Sequence, residues 1–268
     1  ITITGTKGFL GSYLSKYLKS QPNTKIYELS SSINKIDKKY YFIGNKINEE
    51  ILRDTDVLIL CAHDFKKKDE YFQVNGFKII FNQIRKLSLN IKIIYISSLA
   101  AFNKSETTYG KSKYLMEQSI IDKSGIIIKP GIIYGDKNIN GLINKISDFT
   151  NKYSIVPYFL NLNSKIYLTH IEDFCFVINK ILINEKSGIF FCASLKNYTF
   201  KQLIIKFSSN KKIILIPLLW QFVYYIIKLL EIFRIKKIFK TDSILNLAKQ
   251  NKNVKENTIL EYTKYFRD

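Results

Sequence analysis

The sequence predicts a doubly wound α/β fold, a parallel sheet with helices on both faces, followed by a smaller C-terminal lobe. Three observations predict it. Apolar, β-rich runs alternate with longer helical patterns through the first two-thirds of the 268 residues. The runs are apolar at consecutive positions, which marks strands covered on both sides. A glycine-rich turn joins the first run directly to the first helical pattern. Hydrophobic residues make up 46% of the chain and charged residues 24%, enough apolar surface for a core and too much for wholesale disorder.

Taken in order, strands are expected at Ile1–Thr4, Lys25–Leu29, Tyr40–Ile43, Val57–Ala62, Lys92–Ser97 and Gly125–Lys129. Helices are expected between them at Gly11–Lys19, Asp69–Lys86 and Tyr109–Asp122. After Gly135 the alternation loosens. Asn138–Lys152 and Asp173–Leu182 read as helical, Ser164–Leu168 and Gly188–Ala193 as strands, and the tail from Phe200 as mostly helical. The expected division is a nucleotide-binding domain over residues 1–135 and a small lobe over 136–268, interleaved with strands that return to the sheet at about 166–194. Only Gln221, Lys228 and Glu231 interrupt the apolar stretch Ile213–Phe233. Pro217 divides it into a strand-like piece and a helix, Leu218–Phe233, that falls short of the roughly 20 residues needed to span a bilayer. A packed lobe helix and weak contact with a membrane surface both stay open.

The net charge of +20 raises nucleic acid as a partner, but its make-up argues against it. The cations are 38 Lys and only four Arg: Arg53, Arg85, Arg234 and Arg267. Base readers lean on the planar Arg fork, and the lysines here are scattered apart from Lys66-Lys67-Lys68. No specific nucleic-acid binding is expected, and the field would still draw in anionic substrates. Cys61, Cys175 and Cys192 lie far apart without metal-site spacing, so no metal site is expected. An odd cysteine count with no basic leader ahead of Ile1 gives cytoplasmic as the expected location.

Thr4-Gly5-Thr6-Lys7-Gly8-Phe9-Leu10-Gly11 closes the first strand and opens the first helix. Glycine suits a backbone that must turn tightly and approach a pyrophosphate, and the N–H groups at the positive helix end would hold the phosphates. The ribose-reading position, about 20 residues on, is Ser30 within Glu28-Leu29-Ser30-Ser31-Ser32. Small hydroxyls followed by Lys35, Lys38 and Lys39 lean toward NADP over NAD, although Glu28 is within reach of the ribose in this reading.

Tyr109-Gly-Lys-Ser-Lys113 places a phenol and an ammonium on one helix face, an arrangement expected to lower the tyrosine pKa and equip it for proton transfer. Tyr224 and Lys228 repeat the spacing, but only Tyr109 is preceded by a strand ending in Ser97-Ser98, where a parallel sheet places its ligands.

These segments, with Leu60-Cys61-Ala62, Val74-Asn75, Glu117, Lys129-Pro130-Gly131-Ile132-Ile133-Tyr134-Gly135 and His170-Ile171-Glu172-Asp173, occur in register from Ile1 to about Ser194. In that order the chain resembles the extended short-chain dehydrogenases/reductases, and more narrowly the NAD-dependent epimerase/dehydratase branch that modifies nucleotide sugars. The resemblance implies a Rossmann-like fold and an NAD(P)-dependent epimerase or reductase acting by hydride transfer on a nucleotide-linked sugar. It implies Tyr109 as acid/base, Ser98 (or Ser97) polarising the substrate oxygen, and Lys113 holding the nicotinamide ribose. Gly5, Thr6, Lys7, Gly8, Phe9, Leu10 and Gly11 would wrap the pyrophosphate, and Ala62 and Pro130 would line the dinucleotide. Asn75 becomes a structural or cofactor-side residue, His170 a structural one, and a homodimer through the Tyr109–Asp122 helix is implied.

The chain also departs from the pattern. Gly44-Asn45 replaces Gly-Asp at the adenine, Lys129 replaces Arg before Pro130, and Phe102-Asn103 replaces Tyr-Gly. Leu99-Ala100 stands where dehydratases carry an acidic pair, which disfavours dehydration. Only ten residues separate Ser98 from Tyr109. Lys129, Lys137 and Lys165 could meet a diphosphate or simply be solvated, and His63 could face the cleft or cap a strand end. The alternative to an enzyme is a catalytically silent dinucleotide sensor or scaffold on the same fold.

Overall fold

Strands whose side chains are apolar on both faces bury alternate residues on opposite sides of one sheet. The computed structural model describes residues 1–135, 141–160, 162, 165–184, 187–208, 212–233 and 241–248. In chain order the elements are β1 (Thr2–Thr4), α1 (Phe9–Lys19), β2 (Tyr27–Leu29), α2 (Glu49–Arg53), β3 (Val57–Leu60), α3 (Phe72–Lys86), β4 (Lys92–Ile96), α4 (Thr108–Ile121), β5 (Ile126–Pro130) and β6 (Ile132–Tyr134). There follow α5 (Leu142–Lys152), β7 (Ile155–Leu160), β8 (Ile166–His170), α6 (Ile171–Asn184), β9 (Gly188–Cys192), β10 (Asn197–Tyr198), α7 (Phe200–Phe207), β11 (Ile214–Leu219), α8 (Trp220–Ile232) and α9 (Thr241–Ala248).

The main sheet runs β2-β1-β3-β4-β5-β9 with every pair parallel. Ile59, Ile94, Ile96, Ile126 and Ile128 point to one face, where Leu14 and Leu18 of α1 and Phe174, Val177, Ile178 and Ile181 of α6 cover them. Leu58, Leu60, Ile93, Tyr95 and Ile127 point to the other, beneath Val74, Phe77, Ile80 and Ile84 of α3 and Met116 and Ile120 of α4. Each fully buried aliphatic side chain contributes about 1.5–3 kcal/mol. The strand order reverses direction at β1, between β2 and β3, which is where such sheets open a ligand crevice. The expected fold class is therefore observed.

One strand expectation fails. Tyr40–Ile43 is not a strand: a single parallel bridge joins Tyr40 to Ser30, and the chain turns away at Gly44, whose φ is +100°. Tyr41 and Ile43 are apolar because they bury under α3, not because they pair. The strand-like piece expected before Pro217 is β11, which runs through Pro217 to Leu219 and pairs in parallel with β7 in a separate two-stranded sheet. Pro217 lies inside β11, which tolerates it because a strand with one neighbour keeps a free edge. The third sheet, β10-β8-β6, continues from β5 and packs with α5 and α7 over a core of Ile166, Leu168, Phe200 and Leu203. β9 then returns to the main sheet beside β5.

Candidate active site

The residues expected to act converge on the C-terminal ends of β1, β2, β3, β4 and β5. Gly5 takes φ +74°, and a Cβ there would lie 2.9 Å from the backbone of Ala62, so the turn after β1 is clamped against the end of β3. Thr4 Oγ1 reinforces this, accepting from the N–H groups of Cys61 and Ala62 at 3.1 Å. A Cβ on Gly11 would meet the Gly5 carbonyl oxygen at 2.5 Å, which draws α1 tight against the turn. Gly8 stands at the N-cap, and no side chain caps the helix. The first-turn N–H groups at Phe9, Leu10 and Gly11 are thus donors without an intrahelical carbonyl, beside exposed Lys7 and Gly8. That donor set fits the diphosphate of a dinucleotide.

Beyond β2, Ser30 is buried and its hydroxyl is bonded to that of Ser32 at 2.9 Å. Thr6 is buried beside it and donates through Oγ1 to the Leu29 carbonyl at 3.2 Å. Glu28 does not reach toward a ribose. Its carboxylate accepts from Ser15 at 2.6 Å and pairs with Lys19 at 2.8 Å, and these contacts hold its pKa below the usual carboxylate value. Lys35 and Lys39 are exposed nearby, whereas Lys38 pairs with Glu50. Asn45 is exposed in the turn after Ile43, and Pro130 is buried at the end of β5. Asn75 lies exposed on α3.

The α4 helix begins with a Thr107 cap whose Oγ1 accepts from Gly110 N–H at 3.0 Å and donates to Asn246 of α9 at 2.8 Å. Its buried face carries Gly110, Ser112, Lys113 and Glu117, with only Met116 and Ile120 apolar. A helix that buries polar groups in this way is shaped by a site more than by its core. The Ser98 side chain stands by the Tyr109 phenol and pulls its pKa down. Ser97 instead donates to Glu117 and is buried, so Ser98 is the serine that faces Tyr109.

The expected lowering of the tyrosine pKa is not observed. Burial raises it, and Ser98 only partly opposes that effect. The reason is where the ammonium goes. Lys113 Nζ donates to the Ile96 carbonyl at 2.7 Å and sits 4.7 Å over the Tyr95 ring, but 5.9 Å from the Tyr109 ring centre. Burial pulls Lys113 itself down to about 8, against the opposing pull of Cys61 and Glu117.

Sequence reasoning missed the cover over Tyr109. The exposed Phe65 stacks on its ring at 5.7 Å and 16°, and the His63 ring meets both edge-on, at 5.0 Å from Tyr109 and 4.6 Å from Phe65. His63 Nδ1 is buried without a hydrogen-bond partner among the described residues, and burial pushes its pKa down to about 3. His63 therefore faces the cleft as a neutral ring. Lys129 meets no solvent and no diphosphate: it is buried, 2.9 Å from Glu117 and 2.6 Å from the Ala101 carbonyl. Lys165 is exposed and Lys137 lies outside the described residues. His170 accepts from Glu172 N–H at 3.4 Å and packs on Tyr134, while Tyr224 lies on α8, away from the main sheet. Glu117, part of the sequence pattern but given no role there, continues the Tyr109–Lys113 spacing by one more turn. Phe65 carried no signal.

No family model matches the sequence, and neither does any curated protein. Solved structures do. A dTDP-4-dehydrorhamnose reductase from Clostridium acetobutylicum superposes with a TM-score of 0.68 at 16% identity, over 92% of this chain and 97% of that one. The chain shares the Rossmann-like α/β fold of this sugar-nucleotide enzyme. The Bacillus anthracis dTDP-4-dehydrorhamnose reductase, crystallised with NADP, gives 0.65 at 16% identity with the same coverage. A UDP-glucose 4-epimerase from Thermotoga maritima gives 0.60 at 16%, over 81% of this chain and 85% of that one.

Proposed function

We propose that the protein is an NADP(H)-dependent reductase of a nucleotide-linked keto sugar. The observation that carries the reading is a phenol, Tyr109, next to a strand-end hydroxyl, Ser98, on a sheet that also carries an uncapped glycine turn, with burial keeping the phenol protonated. A protonated phenol can donate to a carbonyl oxygen, which is the demand of reduction; oxidation of an alcohol asks for the phenolate. The bound dinucleotide supplies the hydride donor or acceptor at its nicotinamide.

In this reading Gly5, Thr6, Lys7, Gly8, Phe9, Leu10 and Gly11 hold the diphosphate, Ser30 and the lysines after it receive the adenosine ribose, and Asn45 meets the adenine. Ala62 and Pro130 line the dinucleotide, and Lys113 holds the nicotinamide ribose. Glu28, already engaged by Ser15 and Lys19, leaves no carboxylate for a free 2′-hydroxyl, which supports NADP over NAD. Ser98 fixes the substrate oxygen and Tyr109 gives it a proton, while Phe65 and His63 keep water from the phenol. Residues 1–135 with the returning 166–194 form the dinucleotide domain, and the rest of 136–268 the substrate lobe. A cytoplasmic enzyme with three free thiols and a homodimer through α4 complete the proposal.

The test is turnover of NADPH with nucleoside-diphosphate 4-keto hexoses. Expected is consumption of NADPH that Tyr109→Phe slows by about 10²–10⁴-fold while NADPH binding persists. Interconversion of UDP-hexose epimers without net cofactor use would assign an epimerase. Tight binding with no turnover on any nucleotide sugar would assign the silent sensor or scaffold.

A further inference from the structure

The α8 helix is turned inside out. An amphipathic helix of a globular lobe hides its apolar stripe, but here Phe222, Tyr225, Ile226, Leu229 and Phe233 follow one another at helical spacing along one outward face, each 42–66% exposed. The opposite side holds buried Ile227 and Glu231, the latter accepting from the N–H and hydroxyl of Thr241 at the start of α9. The strand feeding the helix behaves alike: Ile214 of β11 pairs with Ile155 of β7, Leu219 with Leu160, and all four are exposed. An outward apolar face on helix and strand alike marks a docking face.

Charge selects the partner. From Lys212 to Lys240 the sequence holds six cations, Lys212, Lys228, Arg234, Lys236, Lys237 and Lys240, and one acid, Glu231. Ile235, Ile238 and Phe239 are interspersed among the last four. The whole chain carries +20, so stacking a second copy on this face would bring like charges together. The helix has 13 residues, and among the described residues none is long and apolar enough to cross a membrane. We propose that this face rests on an anionic lipid surface, with α8 lying in the plane of the headgroups and the cations that neighbour it in the sequence meeting lipid phosphates. The proposal is independent of the reaction assigned above.

The full chain is sedimented with vesicles of phosphatidylcholine alone, and with vesicles that also contain phosphatidylglycerol, at low and high salt. Expected is uptake by the anionic vesicles that weakens at high salt and on neutral vesicles. Tyr225→Asp/Leu229→Asp should lower it by more than about tenfold, with thermal unfolding unchanged because both residues are exposed. Lys236→Gln/Lys237→Gln should lower it by about 25-fold on anionic vesicles only. Three results would overturn the proposal: no uptake, uptake indifferent to both variants, or a concentration-dependent dimer dissolved by Tyr225→Asp/Leu229→Asp while vesicles take up neither protein.

Discussion

Replacing Lys113 with methionine should make the protein more stable while abolishing turnover. Lys113 is 4% exposed, and burial lowers its pKa from 10.5 to about 8. That displacement corresponds to about 3 kcal/mol against the charged form, at 1.36 kcal/mol per tenfold. Methionine removes this penalty but leaves the Ile96 carbonyl without its donor, a loss of about 1 kcal/mol. The net expectation is a gain of about 2 kcal/mol at pH 7, or roughly 4–8 °C in Tm for a chain of this size. The sign with pH follows from linkage. Below pH 8 both folded and unfolded wild-type chains carry the proton, so the penalty is constant. Between about 8 and 10.5 the folded chain has lost it and the unfolded chain has not, so wild-type stability rises with pH. The advantage of Lys113→Met should therefore shrink above pH 8. Urea denaturation of both proteins at pH 7 and at pH 10, compared at constant m-value, reads the effect directly. A variant less stable than wild type at pH 7, or a difference that does not change with pH, refutes the reasoning.

Three further outcomes follow from the same geometry. Gly110→Ala places a Cβ against Ser105 Oγ and 2.5 Å from the Ala100 carbonyl oxygen, and should cost about 1–3 kcal/mol in urea denaturation while displacing Tyr109. Glu117→Leu leaves the buried Lys129 ammonium unpaired and should cost about 3–5 kcal/mol, whereas Glu117→Leu/Lys129→Met should recover most of it in a double-mutant cycle. Phe65→Ala uncovers the Tyr109 ring with little effect on stability, and should move the alkaline limb of the pH–rate profile to lower pH as water reaches the phenol.

The glycine turn and the strand-end serine were legible because each imposes a local demand that only certain residues meet. Gly5 must take positive φ against Ala62, and that requirement is written in residue type. Strands β3, β4 and β5 were legible for a like reason, since burial on two faces leaves consecutive apolar residues. Strand β7 was not, since Pro157 interrupts its apolar run, and β11 was legible only as far as Pro217, because only an edge position lets a strand run on through a proline. Lys129 in an isoleucine-rich strand read as one more cation of a basic chain, since its partner Glu117 comes from another element. The direction of the Tyr109 pKa was hidden in the same way. It depends on Phe65 and His63 arriving from the loop after β3, and on the Ile96 carbonyl drawing the ammonium away. Spacing shows which groups share a helix face but not what closes over them.

The most direct test of the central claim is a fluorescence titration of the purified protein with NADPH and, separately, NADH. The account predicts saturable binding of both, tighter for NADPH, and loss of both with Gly5→Ala, whose Cβ cannot fit between the turn and Ala62. Failure of either nucleotide to bind at near-millimolar concentration would contradict it, and the assignments of Ser98, Tyr109 and Lys113 would fall with the dinucleotide site.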